Sequence, residues 1–234
     1  MEVDEAPRVT PSMLRRAETM CRRRLAKEHD GAKRRANKTA DARFAVSNRL
    51  IEDAKLAHSD VDHLEVTAFV EPGELEPEQI HLYRAAVQGY RAVFGDRPGR
   101  RVDLGWRTPL PELGVDLTGD PGLALERPDG SCELRVLKLG GRRVGAPLLD
   151  PIELRCALVR TEMWAPDALH IVVADLLEHE VVEHTPDLAV ERAEAHAWIA
   201  DRVRLVQENA ALGQAKAGSD CAWCPFIAGC EAFV

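Results

Sequence analysis

Four cysteines constrain this chain more than any other feature. Cys221, Cys224 and Cys230 fall in the run CAWCPFIAGC, a C-x2-C-x5-C spacing, and Cys21 lies two hundred residues upstream, in TPSMLRRAETMCRRRLAKEH. The x2 step sets two thiolates on one turn, and Pro225 directly follows the second. Three close thiolates plus one distant partner make a four-sulfur site that would tie the first helix to the C-terminal segment. Buried structural cysteines are common and inert, but that reading gives no reason for the tight spacing. Zinc and an iron–sulfur cluster both accept four thiolates, and spacing leaves both open. Cys132 and Cys156 fall in an expected strand and an expected helix and read as core residues.

At 234 residues the chain can bury one good core with a helical part attached. No apolar run approaches a membrane span, and the acidic, polar start MEVDEAPRVT reads as no signal peptide. The six cysteines lack a secreted disulfide pattern, so a reducing, cytoplasmic home is expected. The net charge of -8 is unevenly spread: Leu14–Lys38 holds ten Lys or Arg against three acids, +7, which leaves -15 on the rest. A solvated helix face accounts for such a run. A local basic surface on an acidic body also steers a polyanion to one place, and Arg22, Arg23 and Arg24 directly follow Cys21.

Along the chain, Thr10 or Ser12 caps a first helix with Pro11 in its first turn, and Gly31 interrupts it. Further helices are expected at about 40–57 and 76–94. Gly95, Pro98 and Gly99 end the latter. RVDLGWRTPL then reads as a strand near 102–108. GDPGLALERPDGSCELRVLKLG reads as two strands around an Asp129–Gly130 turn. A helix at about 151–163, a buried strand at 169–173, an edge strand around Val181–Val182 and a long helix at 187–211 follow. The order predicts an α/β sandwich around a small mixed sheet. It divides as a mainly helical part at 10–98, an α/β core at 99–212 and a Cys-rich tail at 213–234, all in one domain.

With these elements in order, the chain resembles the iron–sulfur branch of the PD-(D/E)XK nuclease superfamily. That branch includes RecB-like CRISPR-associated exonucleases and the nuclease domain of AddB helicase–nucleases. Cys21, Cys221, Cys224 and Cys230 match its layout of one early and three late cysteines, and Ser12-Met13-Leu14 matches the phrase before the first. The resemblance covers nearly the whole chain. It implies a PD-(D/E)XK nuclease-like core, a small mixed β-sheet flanked by helices, and a [4Fe-4S] cluster on the four cysteines.

The same resemblance implies catalytic carboxylates on Mg²⁺ or Mn²⁺ with a lysine beside them. Asp120 stands where the first acid belongs and Lys138 where the lysine belongs, but the residue two before Lys138 is Val136. Val136 and Lys138 share a strand face while Glu133 faces the other way. A bulge would be needed to bring Glu133 round, and Glu126 is the other acid a relocated-ligand reading would call on. The early-helix histidine of the family is missing from ARFAVSNRLIED, and the helix after the third strand offers Arg155 and Arg160. The expected function is therefore a cluster-bearing, nuclease-like protein with weak or lost catalysis. It would bind DNA or RNA, or a protein partner, through Arg22, Arg23, Arg24, Lys33, Arg34, Arg35, Arg155 and Arg160. The alternatives are an active Mg/Mn-dependent DNA exonuclease with a relocated acid and a redox-responsive regulatory or assembly subunit.

The +7 segment yields a prediction. Binding to a phosphate backbone should fall steeply with salt through counterion release. Charge reversal at Arg22, Arg23 and Arg24 should weaken it for many sequences alike. A titration at low salt that finds no binding to any DNA or RNA form contradicts this role.

Overall fold

Thr10 ends the first extended segment because its hydroxyl caps a helix. In the computed structural model, which describes residues 6–18, 38–58, 75–119, 122–140, 145–164, 166–212 and 230, its Oγ1 accepts a hydrogen bond from the Met13 N–H at 3.2 Å. That cap separates β1 (Arg8–Val9) from α1 (Pro11–Arg15). Two longer helices follow, α2 (Lys38–Ala57) and α3 (Pro77–Phe94). Val46, Leu50 and Ala54 recur on α2, and Tyr83, Val87, Tyr90 and Phe94 on α3, as buried stripes at helical spacing. The α3 start is fixed by the Gln79 side chain, which accepts from the Glu76 N–H at 3.1 Å, with Pro77 behind it.

The expected strand at 102–108 is two strands in two sheets. Asp103 Oδ1 accepts from the Gly105 N–H at 2.9 Å, and Gly105 turns at φ +65°, a conformation costly for a residue with Cβ. The turn separates β2 (Arg100–Val102) from β3 (Arg107–Leu110). β3 pairs antiparallel with β4 (Val115–Thr118), which pairs parallel with β1. This three-stranded sheet was not foreseen from the sequence.

The larger sheet runs β2–β5–β6–β7–β8, with β5 at Leu123–Glu126, β6 at Cys132–Lys138, β7 at Leu169–Asp175 and β8 at Glu180–His184. β5 and β6 form the expected hairpin at Asp129–Gly130, where Asp129 Oδ1 accepts from both the N–H and the hydroxyl of Ser131. β6 pairs parallel with β7, so the chain must cross over; α4 (Pro151–Thr161) makes the crossing. The other pairings are antiparallel, with β8 at the edge. The last long helix is α5 (Leu188–Leu212).

The alternation of the strands sorts side chains into two cores. Cys132, Leu134, Ile171 and Val173 face α4, α5 and the small sheet, together with Cys156, Leu158, Ile199 and Val203. Leu123, Leu125, Leu137, Val172 and Ala174 face α2 and α3. The fold is thus a mixed α/β fold with small sheets flanked by helices. Cys132 and Cys156 lie in the core, as their sequence positions imply. No helix among the described residues is long and apolar enough to cross a membrane.

The α2/α3 face also holds a buried polar network. Arg135, 1% exposed, donates from Nε to Glu133 Oε1 at 2.5 Å, from Nη1 to the Tyr90 hydroxyl at 2.7 Å and from Nη2 to the Arg97 carbonyl at 2.5 Å. Arg127 donates to the other oxygen of Glu133. His58 Nδ1 lies 3.0 Å from the Gly99 carbonyl, so Nδ1 carries the proton and Nε2 is the acceptor facing Tyr90 and Arg135. Burial, reinforced by the Arg135 charge, lowers the His58 pKa to about 4, while the Gly99 carbonyl and Glu133 oppose the shift.

That neutral imidazole predicts a pH slope. The unfolded chain takes up a proton at about 6.5, the folded one only near 4. Stability present above pH 6.5 is therefore lost as pH falls toward 4, by roughly 3 kcal/mol. His58→Gln should flatten the pH dependence of the urea midpoint in this window. An unchanged slope contradicts the assignment.

Candidate functional site

Lys138 ends β6 on the face covered by α4. Its Nζ donates to the Leu148 carbonyl at 2.7 Å and pairs with the Glu153 carboxylate at 2.8 Å. Glu153 sits in the first turn of α4, whose cap is Asp150. One Asp150 oxygen accepts from the N–H groups of Ile152 and Glu153, at 2.9 and 3.2 Å, and the other pairs with Arg15 of α1 at 2.9 Å. Burial works to raise the Asp150 pKa, but the two N–H groups and Arg15 outweigh it and hold the carboxyl below its usual range. The result is an ion network that joins α1, α4 and the end of β6.

Asp175 is the register partner of Lys138 on β7 and shares its face. It is 1% exposed, and its Oδ1 accepts from the N–H groups of Gly140, Leu177 and Glu178 at 3.0, 3.2 and 3.3 Å. That carboxylate holds the two loops leaving β6 and β7. Asp150, Glu153 and Asp175 were not singled out from the sequence. The signal for the first two was there: Asp150-Pro151-Ile152-Glu153 reads as a helix cap with an acid in the first turn.

The acids proposed to stand in for Val136 do not reach Lys138. Glu133 is fully buried on the opposite face, paired with Arg135 and Arg127. β6 keeps an unbroken register with β5 and β7, so no bulge rotates it. Glu126 aligns with Cys132, at the far end of β6, about 20 Å from Lys138 at strand rise, and pairs with Arg100. Gly122, just before β5, packs onto the opposite strand so closely that a Cβ there would lie 2.2 Å from the Arg135 carbonyl oxygen. No side chain fits at that position.

Asp120 lies outside the described residues, as do Cys21, Cys221, Cys224, Arg22, Arg23, Arg24, Lys33, Arg34 and Arg35. The residues flanking Asp120 are informative. The Gly119 N–H donates to the Trp106 carbonyl at 3.2 Å, and Arg160 donates to the carbonyls of Gly119 and Leu117 at 2.6 and 3.2 Å. Arg160 is 3% exposed, so it is not a surface group for a phosphate. It is a brace between α4 and the end of β4, which corrects the expected contact role. Arg155 is half-buried, and its guanidinium lies 4.9 Å from the Trp198 ring. The Arg202 guanidinium lies 5.4 Å from the same ring and pairs with Glu18 at 2.5 Å.

The start of the cysteine region is anchored. Met13 and Ala17 pack on Val206 of α5, and Asn209 donates to the Ala17 carbonyl at 3.0 Å. Ala17 is four residues before Cys21, and Asn209 is twelve before Cys221. Cys230 is half-buried. Among the described residues, no group of three or more His, Cys, Asp or Glu is placed to hold a metal ion. Among the described acids near Lys138, Asp150 accepts from backbone N–H groups and pairs with Arg15, Asp175 Oδ1 accepts from three backbone N–H groups, and Glu153 pairs with Lys138.

No protein-family model matches the chain, and no curated protein matches it. A solved structure described as "Crystal structure of SSO0001" is similar to it at 13% identity, over 100% of this chain and 90% of that one, with a TM-score of 0.36. A likeness of that size carries no argument about activity.

The brace makes a prediction. Arg160→Ala should cost about 3 kcal/mol in chemical denaturation, because two carbonyls lose their donor inside the protein. The salt dependence of whatever nucleic-acid binding the wild type shows should be unchanged in the variant. A stable variant with a shallower salt slope returns Arg160 to the binding surface.

Proposed function

We propose that this chain is a nuclease-like nucleic-acid-binding protein of the iron–sulfur PD-(D/E)XK type, with weak or lost catalysis. The observation that carries the reading is the commitment of Lys138 to Leu148 and Glu153, with Val136 two residues before it and no side chain at Gly122. A divalent ion needs convergent oxygen ligands, and Mg²⁺ gives up its water reluctantly. A lysine without a metal-bound nucleophile beside it has little catalytic role. The meander β2–β5–β6 followed by a helical crossover to parallel β7 is in keeping with a nuclease-type core.

The cluster reading draws support from the ends of the chain. The residues leading to Cys21 dock on the part of α5 that leads to Cys221, Cys224 and Cys230. This approach suits a site shared between the two ends, and four thiolates suit a [4Fe-4S] cluster. When bound, the cluster supplies a covalent crosslink between the termini of the fold. Nucleic acid is the favoured ligand because residues 14–38 carry a charge of +7, and Arg155, half-buried beside the Trp198 ring, adds a further cation.

Protein purified without oxygen and given labelled single- and double-stranded DNA with Mn²⁺ or Mg²⁺ should bind but not cut. It should carry about four irons and four acid-labile sulfides per chain. Robust metal-dependent cleavage that disappears in Lys138→Ala overturns the loss of catalysis. One tight zinc with no sulfide overturns the cluster.

A further inference from the structure

Trp106 is 52% exposed, although the guanidiniums of Arg8 and Arg107 lie 5.2 and 4.9 Å from its ring. It borders a cavity of about 570 Å³ between Glu52 and Lys55 of α2, the Arg101–Trp106 connection, and the glycines Gly119 and Gly122. We infer that Trp106 is a stacking platform for an unpaired nucleobase, and that this cavity takes a nucleotide unit of single-stranded nucleic acid. The inference rests on the nucleic-acid reading above and names the strand form that it leaves open.

Three observations carry it. The backbone that carries the indole is fixed: the Trp106 carbonyl accepts from the Gly119 N–H, the Gly119 carbonyl is held by buried Arg160, and Asp103 fixes the turn at Gly105 just before it. A platform held this way loses little freedom when a base settles on it. The cavity volume lies in the range that encloses a small ligand. It suits one nucleotide and is far too small for a double helix, whose bases are already stacked and paired. Charge among the described lining residues is balanced rather than repulsive. Lys55 pairs with Glu52 at 2.8 Å, and Arg101 stands 3.9 Å from Asp103. Arg8 and Arg107 bring cations to the ring itself, where Arg107 also pairs with Asp116 at 3.1 Å. Aromatic faces flanked by arginine bind single strands with little sequence preference.

Fluorescence anisotropy tests this with a labelled oligo-dT strand, the same strand annealed to oligo-dA, and unlabelled dTMP as competitor. Trp106→Ala should weaken the single strand by roughly tenfold or more, leave the duplex unchanged, and melt like the wild type. Trp106→Phe should keep most of the single-strand affinity. Competition by dTMP at low concentration would make the ligand a free nucleotide, and competition only by the strand a polymer. Unchanged single-strand affinity in Trp106→Ala, or an equal loss for duplex, overturns the platform while the nucleic-acid reading stands. A wild type that binds neither form overturns that reading and this inference with it.

Discussion

The alternation of side chains along β6 governs both the fold and the site. Residues 132, 134, 136 and 138 face α4, while 133, 135 and 137 face α2 and α3. Each face acquires its own ion pair. Glu133 and Arg135 are sealed on one side with Tyr90 and His58, and Lys138 meets Glu153 on the other. Exchanging them would need a one-residue slip of the central strand, which would also turn Leu134 and Leu137 out of their cores. The acid nearest in sequence to Lys138 is therefore unavailable to it.

Much of this was legible from the chain because the signals are local. The helices expected at about 40–57, 76–94, 151–163 and 187–211 match those at 38–57, 77–94, 151–161 and 188–212, and the expected cap at Thr10 with Pro11 opens the first helix. The β5–β6 hairpin follows from Asp129–Gly130, and the opposed faces of Glu133 and Lys138 from the period of two. The small sheet was not legible: β1 and β4 are short and lie more than a hundred residues apart, so neither announces its partner. Missing that sheet also concealed the fate of Arg160, whose partners are carbonyls at the end of β4. The split between β2 and β3 was hidden by a run of apparent strand residues around Gly105, and with it the exposure of Trp106. The partners of Lys138, the Leu148 carbonyl and Glu153, come from the loop and helix after its strand, which the period of the strand does not reveal.

Among the described residues, α1 docks on α5: Met13 and Ala17 rest on Val206, Asn209 donates to the Ala17 carbonyl, and Arg202 pairs with Glu18. An exposed pair such as Arg202–Glu18 contributes little by itself. A proposed four-cysteine site would add a crosslink to this junction.

The proposed loss of catalysis requires that the surroundings of Lys138 lack the ligands to fix a divalent ion, and among the described residues no group of three or more His, Cys, Asp or Glu is placed to hold one. Titration of the purified protein with Mn²⁺, followed by electron paramagnetic resonance, tests it most directly. The account predicts that the signal of aqueous Mn²⁺ keeps its full amplitude at equimolar protein. A bound fraction that disappears in Asp120→Ala would contradict it.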